Sequence, residues 1–140
     1  MEPLLTVTLP IELTNGNQGR GGHWAATKRR RDDYESLIIL MGHRRKPFDC
    51  PVRIQVTRLR GRRQRAWDSD SWQRGNLKEI IDSLVACGWF HGDDRRWIAE
   101  TTFSELAFGK HGYALPATRI DVLPFVASQT DSDMYRNQKQ

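Results

Sequence analysis

Apolar and polar positions alternate along this chain with two different periods, and each change of period marks an element. Leu5, Val7 and Leu9 fall on one side of an extended Leu4–Leu9 stretch that Pro10 closes, which predicts an opening strand. Val52, Ile54 and Val56 repeat the pattern between Arg53, Gln55 and Thr57, with Leu59 continuing the outward series, and predict a second strand running to Arg60. Two other stretches have helical spacing. Trp24, Tyr34, Leu37, Ile38 and Met41 gather near one face of a helix from His23 to about Met41, with Lys28 to Asp33 largely opposite. Leu77, Ile80, Ile81, Leu84 and Val85 form the stripe of a second helix, Asn76 to Ala86. Gly42 and Gly88 stand where the two helices should stop. Trp97–Phe103 and Thr118–Leu123 read as later strands.

Between these elements lie loops of distinct character. Thr14 to Gly22 is rich in glycine and asparagine, and its Gly19-Arg20-Gly21-Gly22 lacks the Lys-Ser/Thr ending of a phosphate-binding P-loop. It reads as a connection from which Arg20 could reach a phosphate. Phe48 to Pro51 is a turn, and Arg60 to Arg65 is a basic, mobile loop. From about Ala127 the chain is polar and aperiodic. The expectation is one small mixed α/β (α+β) domain over residues 1–126, with a mixed sheet and two main helices, followed by a disordered tail over 127–140.

Charge changes the picture. The chain has 140 residues with 22 Lys plus Arg against 17 Asp plus Glu, a net charge of +5. A domain of that size buries roughly 68% of the surface its unfolded chain exposes. The positive charge is clustered in Lys28-Arg29-Arg30-Arg31, in His43-Arg44-Arg45-Lys46 and in the run Arg58, Arg60, Arg62, Arg63, Arg65. Each cluster has a solvated-surface reading beside a phosphate-contacting one. Two cysteines, Cys50 and Cys87, do not make a disulfide framework. No apolar run approaches the ~20 residues that span a bilayer, and no signal peptide opens the chain, so no membrane association and a cytoplasmic location are expected.

Within this basic chain the acids gather at the two ends of Trp67–Ile98. Asp68 and Asp70 lie two apart, and in an extended backbone that spacing puts both carboxylates on one face, roughly 6.5–7 Å apart along the chain. They could then converge on one cation, although two aspartates in a surface turn are the plainer reading. Asp93 and Asp94 follow the second helix. Neighbours on a strand face opposite ways, so without a bend only one of them joins the Asp68/Asp70 face. Lys78 and Asp82 are four residues apart on the helix, the spacing of a weak surface salt bridge. Trp89 and Phe90 read as core or docking aromatics rather than as nucleobase stackers. Cys87 and His91 have a metal-like spacing but no second ligand pair, which argues against zinc.

The order Asp68-x-Asp70, Asn76, Lys78 with Asp82, Leu84, Gly88 and the Asp93-Asp94 doublet resembles RusA-type Holliday junction resolvases. The resemblance covers nearly the whole chain as element order and is specific over about thirty residues. It implies a small mixed α/β fold acting as a homodimer, bacterial or phage-encoded, that nicks four-way DNA junctions with a divalent metal. It assigns the catalytic carboxylates and metal ligands to Asp68, Asp70 and Asp94, with Asp93 as the alternative within the doublet, and the active-site lysine to Lys78. Mg²⁺ is the implied ion, with Mn²⁺ as a substitute, because a hard cation takes oxygen ligands. From their own charge and placement, Arg20, Lys28, Arg29, Arg30, Arg60, Arg62, Arg63 and Arg65 are the expected DNA contacts. Three departures are visible: Ser71 rather than Asn follows Asp70, Lys78 lies eight residues beyond Asp70 rather than four, and an extra residue sits between Gly88 and the doublet. A branched-DNA nuclease of broader range and a DNA-binding protein without catalysis are the other readings.

Overall fold

Val52, Ile54 and Val56 are fully buried, and the strand they define is the hub of the molecule. The computed structural model of the protein describes residues 2–13, 24–66, 77–113 and 115–126, and the side chains of all of these except 24–27. The elements run β1 (Leu5–Leu9), α1 (Trp24–Leu40), β2 (Val52–Leu59), α2 (Leu77–Ala86), β3 (Ile98–Leu106) and β4 (Ala117–Pro124). The four strands form one mixed sheet in the order β1-β4-β2-β3. β4 lies between β1 and β2 and is antiparallel to both, whereas β3 pairs with β2 in parallel. β1, β2 and β3 therefore point the same way, and each helix is the return path between two of them. The result is the small mixed α+β fold, in one domain, that the two periods predict.

Register explains where the core sits. Leu5 pairs with Val122, which pairs with Ile54; Val7 pairs with Ile120, which pairs with Val56. These apolar rows share one face by the period-two rule, and the buried side chains of Tyr34, Ile38, Ile80 and Leu84 pack onto them from the helices. Each such aliphatic side chain taken from water contributes about 1.5–3 kcal/mol. The opposite face of the sheet carries a polar network. Thr6 Oγ1 donates to Asp121 at 2.6 Å, and the hydroxyls of Thr57 and Ser104 lie 2.9 Å apart.

Two expectations about burial change here. Thr57 and Leu59 do point away from the helices, yet both are only 1% exposed. β2 is an interior strand, so side chains on β3 and β4 hem in its outward residues. Met41 is exposed, because α1 ends at Leu40 and Met41 lies in the turn beyond it. β3 starts one residue later than the alternation implied and runs on to Leu106.

The helices end by the same device. Gly42 and Gly88 have φ of 77° and 89°, the left-handed conformation glycine adopts without a Cβ penalty. His43 N–H donates to the Ile38 carbonyl and Trp89 N–H to the Leu84 carbonyl, each at 3.0 Å, the six-to-one bond of a glycine-closed helix end. The helices run parallel to one another: Arg30 meets Glu79, the Arg31 carbonyl meets Ser83 and the Glu35 carbonyl meets Cys87. Their C-terminal ends lie near the start of β2, where Phe48 N–H donates to the Trp89 carbonyl and Val52 N–H to the Trp97 carbonyl.

Candidate functional site

Lys78 stands in the first turn of α2, exposed, on the side away from the buried Ile80 and Leu84. The amphipathic stripe dictates that placement, since burying one face of a ten-residue helix leaves the other in water. Asp82, four residues on, makes no ion pair with it, and among the described residues Lys78 has no salt-bridge partner. The weak surface pair that the spacing allowed is absent. Glu79, next along, turns inward and is buried. Its Oε1 accepts from Arg30 Nη2 at 3.2 Å, with the two side chains 29% and 12% exposed for Arg30 and Glu79. Arg30, expected among the DNA contacts, thus spends its charge on joining α1 to α2.

Tyr34 lies against the same pair. Burial raises its phenol to a pKa of about 12, and the negative charge of Glu79 pushes in the same direction. Ser83 Oγ donates to the Glu79 carbonyl at 2.6 Å, with the Arg31 carbonyl at 3.1 Å. Cys87 is buried between the helices with its thiol toward the Glu35 carbonyl, and burial pushes that thiol's pKa up. His91 is exposed, its ring 4.5 Å from that of Trp97, with Nε2 3.5 Å from Asp49 Oδ1. The thiol is thus taken up in helix packing, away from solvent.

Asp94 is placed by a turn and not by a strand. Trp97 and Ile98 N–H groups both donate to its carbonyl, at 3.1 and 2.9 Å, and the strand begins only at Ile98. The alternation argument for choosing between Asp93 and Asp94 therefore does not operate, because neither residue is extended. Both are exposed. Asp94 Oδ1 accepts from the Arg96 N–H at 2.9 Å, and its two oxygens accept from Arg96 Nε and Nη2 at 3.1 and 3.0 Å. Those guanidinium hydrogen bonds hold its carboxyl below the usual aspartate range. Asp94 and Lys78 stand at opposite ends of the α2 connection. From Lys78 to Ala86 alone the helix rises about 12 Å.

Asp68, Asp70, Asn76 and Arg20 lie outside the described residues. Among the described residues no three His, Cys, Asp or Glu side chains are grouped to hold a metal ion. Of the implied ligand set, Asp94 is the member in view, and it offers the ionised oxygen donors a hard cation takes.

The basic residues separate by position. Lys28 and Arg29 are exposed on α1, and Arg62, Arg63 and Arg65 are exposed after β2, while Arg60 is half-buried. The Arg60–Arg65 stretch is tied down rather than loose. Arg60 N–H donates to the Leu106 carbonyl, Gly61 N–H to Gln64 Oε1, and Arg58 Nη1 to the Arg65 carbonyl at 3.0 Å. Arg58 itself is buried in an ion pair with Glu105 across the β2–β3 register. The period-two series Val52, Ile54, Val56 extends to Arg58, so the sequence held the signal for this inward arginine. No comparable signal marks Glu79 as the buried carboxylate of its helix.

No helix among the described residues is long and apolar enough to cross a membrane. Compared with models of known protein families and with characterised proteins, the chain finds no match.

Proposed function

We propose that the protein is a Mg²⁺-dependent, structure-selective endodeoxyribonuclease of the RusA type, which resolves four-way DNA junctions by paired nicks. The observation that carries the reading is Lys78: an exposed cation in the first turn of α2, without an ion-pair partner among the described residues, directly after the segment holding Asp68 and Asp70. A lysine committed to Asp82 would be a surface salt bridge and nothing more. Unneutralised, it is a point charge available to a phosphate oxygen in the transition state.

Asp68, Asp70 and Asp94 would hold the ion. Bound there, Mg²⁺ would supply a polarised phosphoryl group and an activated water. Asp94 brings a carboxylate whose pKa the Arg96 hydrogen bonds lower, and Lys78 offsets charge on the scissile phosphate. The exposed Lys28, Arg29, Arg62, Arg63 and Arg65 contact the DNA backbone and set register without reading sequence. Two-fold pairing of subunits presents two equal sites to the two strands that must be cut.

A second reading is favoured by two features. Arg96 occupies both carboxylate oxygens of Asp94, and the α2 connection separates Asp94 from Lys78, as suits a DNA-binding protein without catalysis. One assay decides. A labelled synthetic four-way junction and a linear duplex are incubated with Mg²⁺ and wild type, Asp70→Asn or Lys78→Ala. Paired nicks in the junction alone, lost in both variants, support the resolvase. Equal cutting of the duplex identifies a general nuclease, and binding without nicking leaves the second reading.

A further inference from the structure

The basic cluster that the DNA contacts leave unused is His43-Arg44-Arg45-Lys46, and its geometry differs from that of a solvated charge run. Its backbone is clamped on both sides. At its start, Gly42 and His43 N–H groups close α1 on the Ile39 and Ile38 carbonyls, each at 3.0 Å. The His43 carbonyl accepts from Trp89 Nε1 at 2.7 Å, and the Phe48 N–H donates to the Trp89 carbonyl at 3.0 Å. Trp89 is fully buried, so both bonds anchor the loop to the core. Gly88 completes the clamp, because a Cβ there would lie 2.7 Å from the Arg45 carbonyl oxygen.

One basic side chain is ordered in turn. The Arg45 guanidinium lies 3.6 Å from the Phe48 ring centroid, and its Nε donates to the Lys46 carbonyl at 2.9 Å. Phe48 is itself stacked on Phe90, with centroids 6.0 Å apart. Neither Nη group of Arg45 is hydrogen-bonded to a described residue, and Arg44 and Lys46 are exposed and without salt-bridge partners among the described residues. The nearest acid in sequence, Asp49, faces His91. Arg45 is thus held in a preset arrangement between two exposed cations, and among the described residues none of the three has a salt-bridge partner. A surface that needs only solubility has no use for that ordering, whereas binding a polyanion gains from entropy already lost.

We infer that this loop is a second nucleic-acid contact, seating the phosphodiester backbone at the C-terminal ends of the helices, apart from the contacts of Lys28 and Arg29. The inference rests on the nucleic-acid reading proposed above and deepens it. From Arg29 to Leu40, α1 rises about 16 Å. On one strand at about 3.4 Å per phosphate, the two contacts fall roughly five phosphates apart. The protein thereby grips DNA along a length rather than at a point.

The test is fluorescence anisotropy of a labelled four-way junction and a labelled duplex, in EDTA to prevent cleavage, across 50–300 mM KCl. Arg44→Gln with Lys46→Gln removes two exposed charges, and thermal melts matching wild type show that the fold is intact. The slope of log K against log salt should become shallower by about 1.8, at about 0.9 per phosphate contact, with affinity lower by tens-fold at 0.1 M salt. Arg45→Lys, which keeps charge but loses the stacked fork, should lie between them and wild type, and Lys110→Gln should match wild type. Wild type that binds DNA, alongside a double variant of unchanged slope and affinity, overturns the loop and leaves the nucleic-acid reading standing. A wild type that binds neither DNA overturns both. Loop-dependent binding to phosphatidylserine vesicles, with DNA binding unaffected by the double variant, overturns the assignment to nucleic acid.

Discussion

Replacing Gly88 by alanine separates two costs that are usually merged. The position has φ of 89°, and an alanine Cβ would sit 2.7 Å from the Arg45 carbonyl oxygen. Left-handed backbone costs a non-glycine residue about 1–2 kcal/mol. The contact adds a steric cost of the overpacking kind, about 1–3 kcal/mol, because the obstacle is backbone and not the end of a flexible side chain. Gly42 supplies the control. It closes α1 in the same way, with φ of 77°, but nothing lies within 4 Å of the Cβ it would gain. Gly42→Ala should therefore lose only the conformational part. Urea unfolding followed by circular dichroism gives both losses, and the expected result is Gly88→Ala less stable than Gly42→Ala by about 1–3 kcal/mol at equal m-value. Equal losses would refute the close approach of Arg45 to Gly88, and with it the clamp on the basic loop.

Other outcomes follow from the same geometry. Tyr34 holds its proton to a pKa of about 12 when folded, against about 10 in an unfolded chain, so its contribution is intact below pH 10 and is lost as pH rises toward 12. Tyr34→Phe should flatten the fall in stability over that window, and an unchanged alkaline unfolding profile would count against it. Arg96→Ala removes the donors that depress the Asp94 carboxyl, so the Asp94 titration midpoint by carboxyl NMR should rise toward the ordinary value of about 3.9. Lys78→Ala should abolish nicking while leaving stability within about 0.5 kcal/mol, since the side chain is exposed. Carboxylates sharing a pocket repel when no cation is bound, so Mg²⁺ should raise the melting temperature and Asp70→Asn should stabilise the metal-free protein. A melting curve indifferent to both would argue against a shared site.

The elements were legible in the sequence because each carries its own period. Leu5, Val7 and Leu9, then Val52, Ile54 and Val56, demand a buried face at every second residue, and the Ile80–Leu84 stripe demands one at every fourth. Those demands hold whatever the partners are, and the two glycines that stop the helices act through their own backbone freedom. What each element packs against was not legible. The sheet order β1-β4-β2-β3 brings the last strand into the middle, and that insertion buries Thr57 and Leu59 on the face that alternation assigned to solvent. The same holds for charge. Three runs of arginine and lysine look alike in sequence, yet Arg30 is taken up by Glu79, Arg58 is buried against Glu105, and Arg44 and Lys46 stay in water. Periodicity is a local property that a dozen residues can state. The fate of a charge depends on what the fold carries to it from some fifty residues away along the chain, and only tertiary structure decides that.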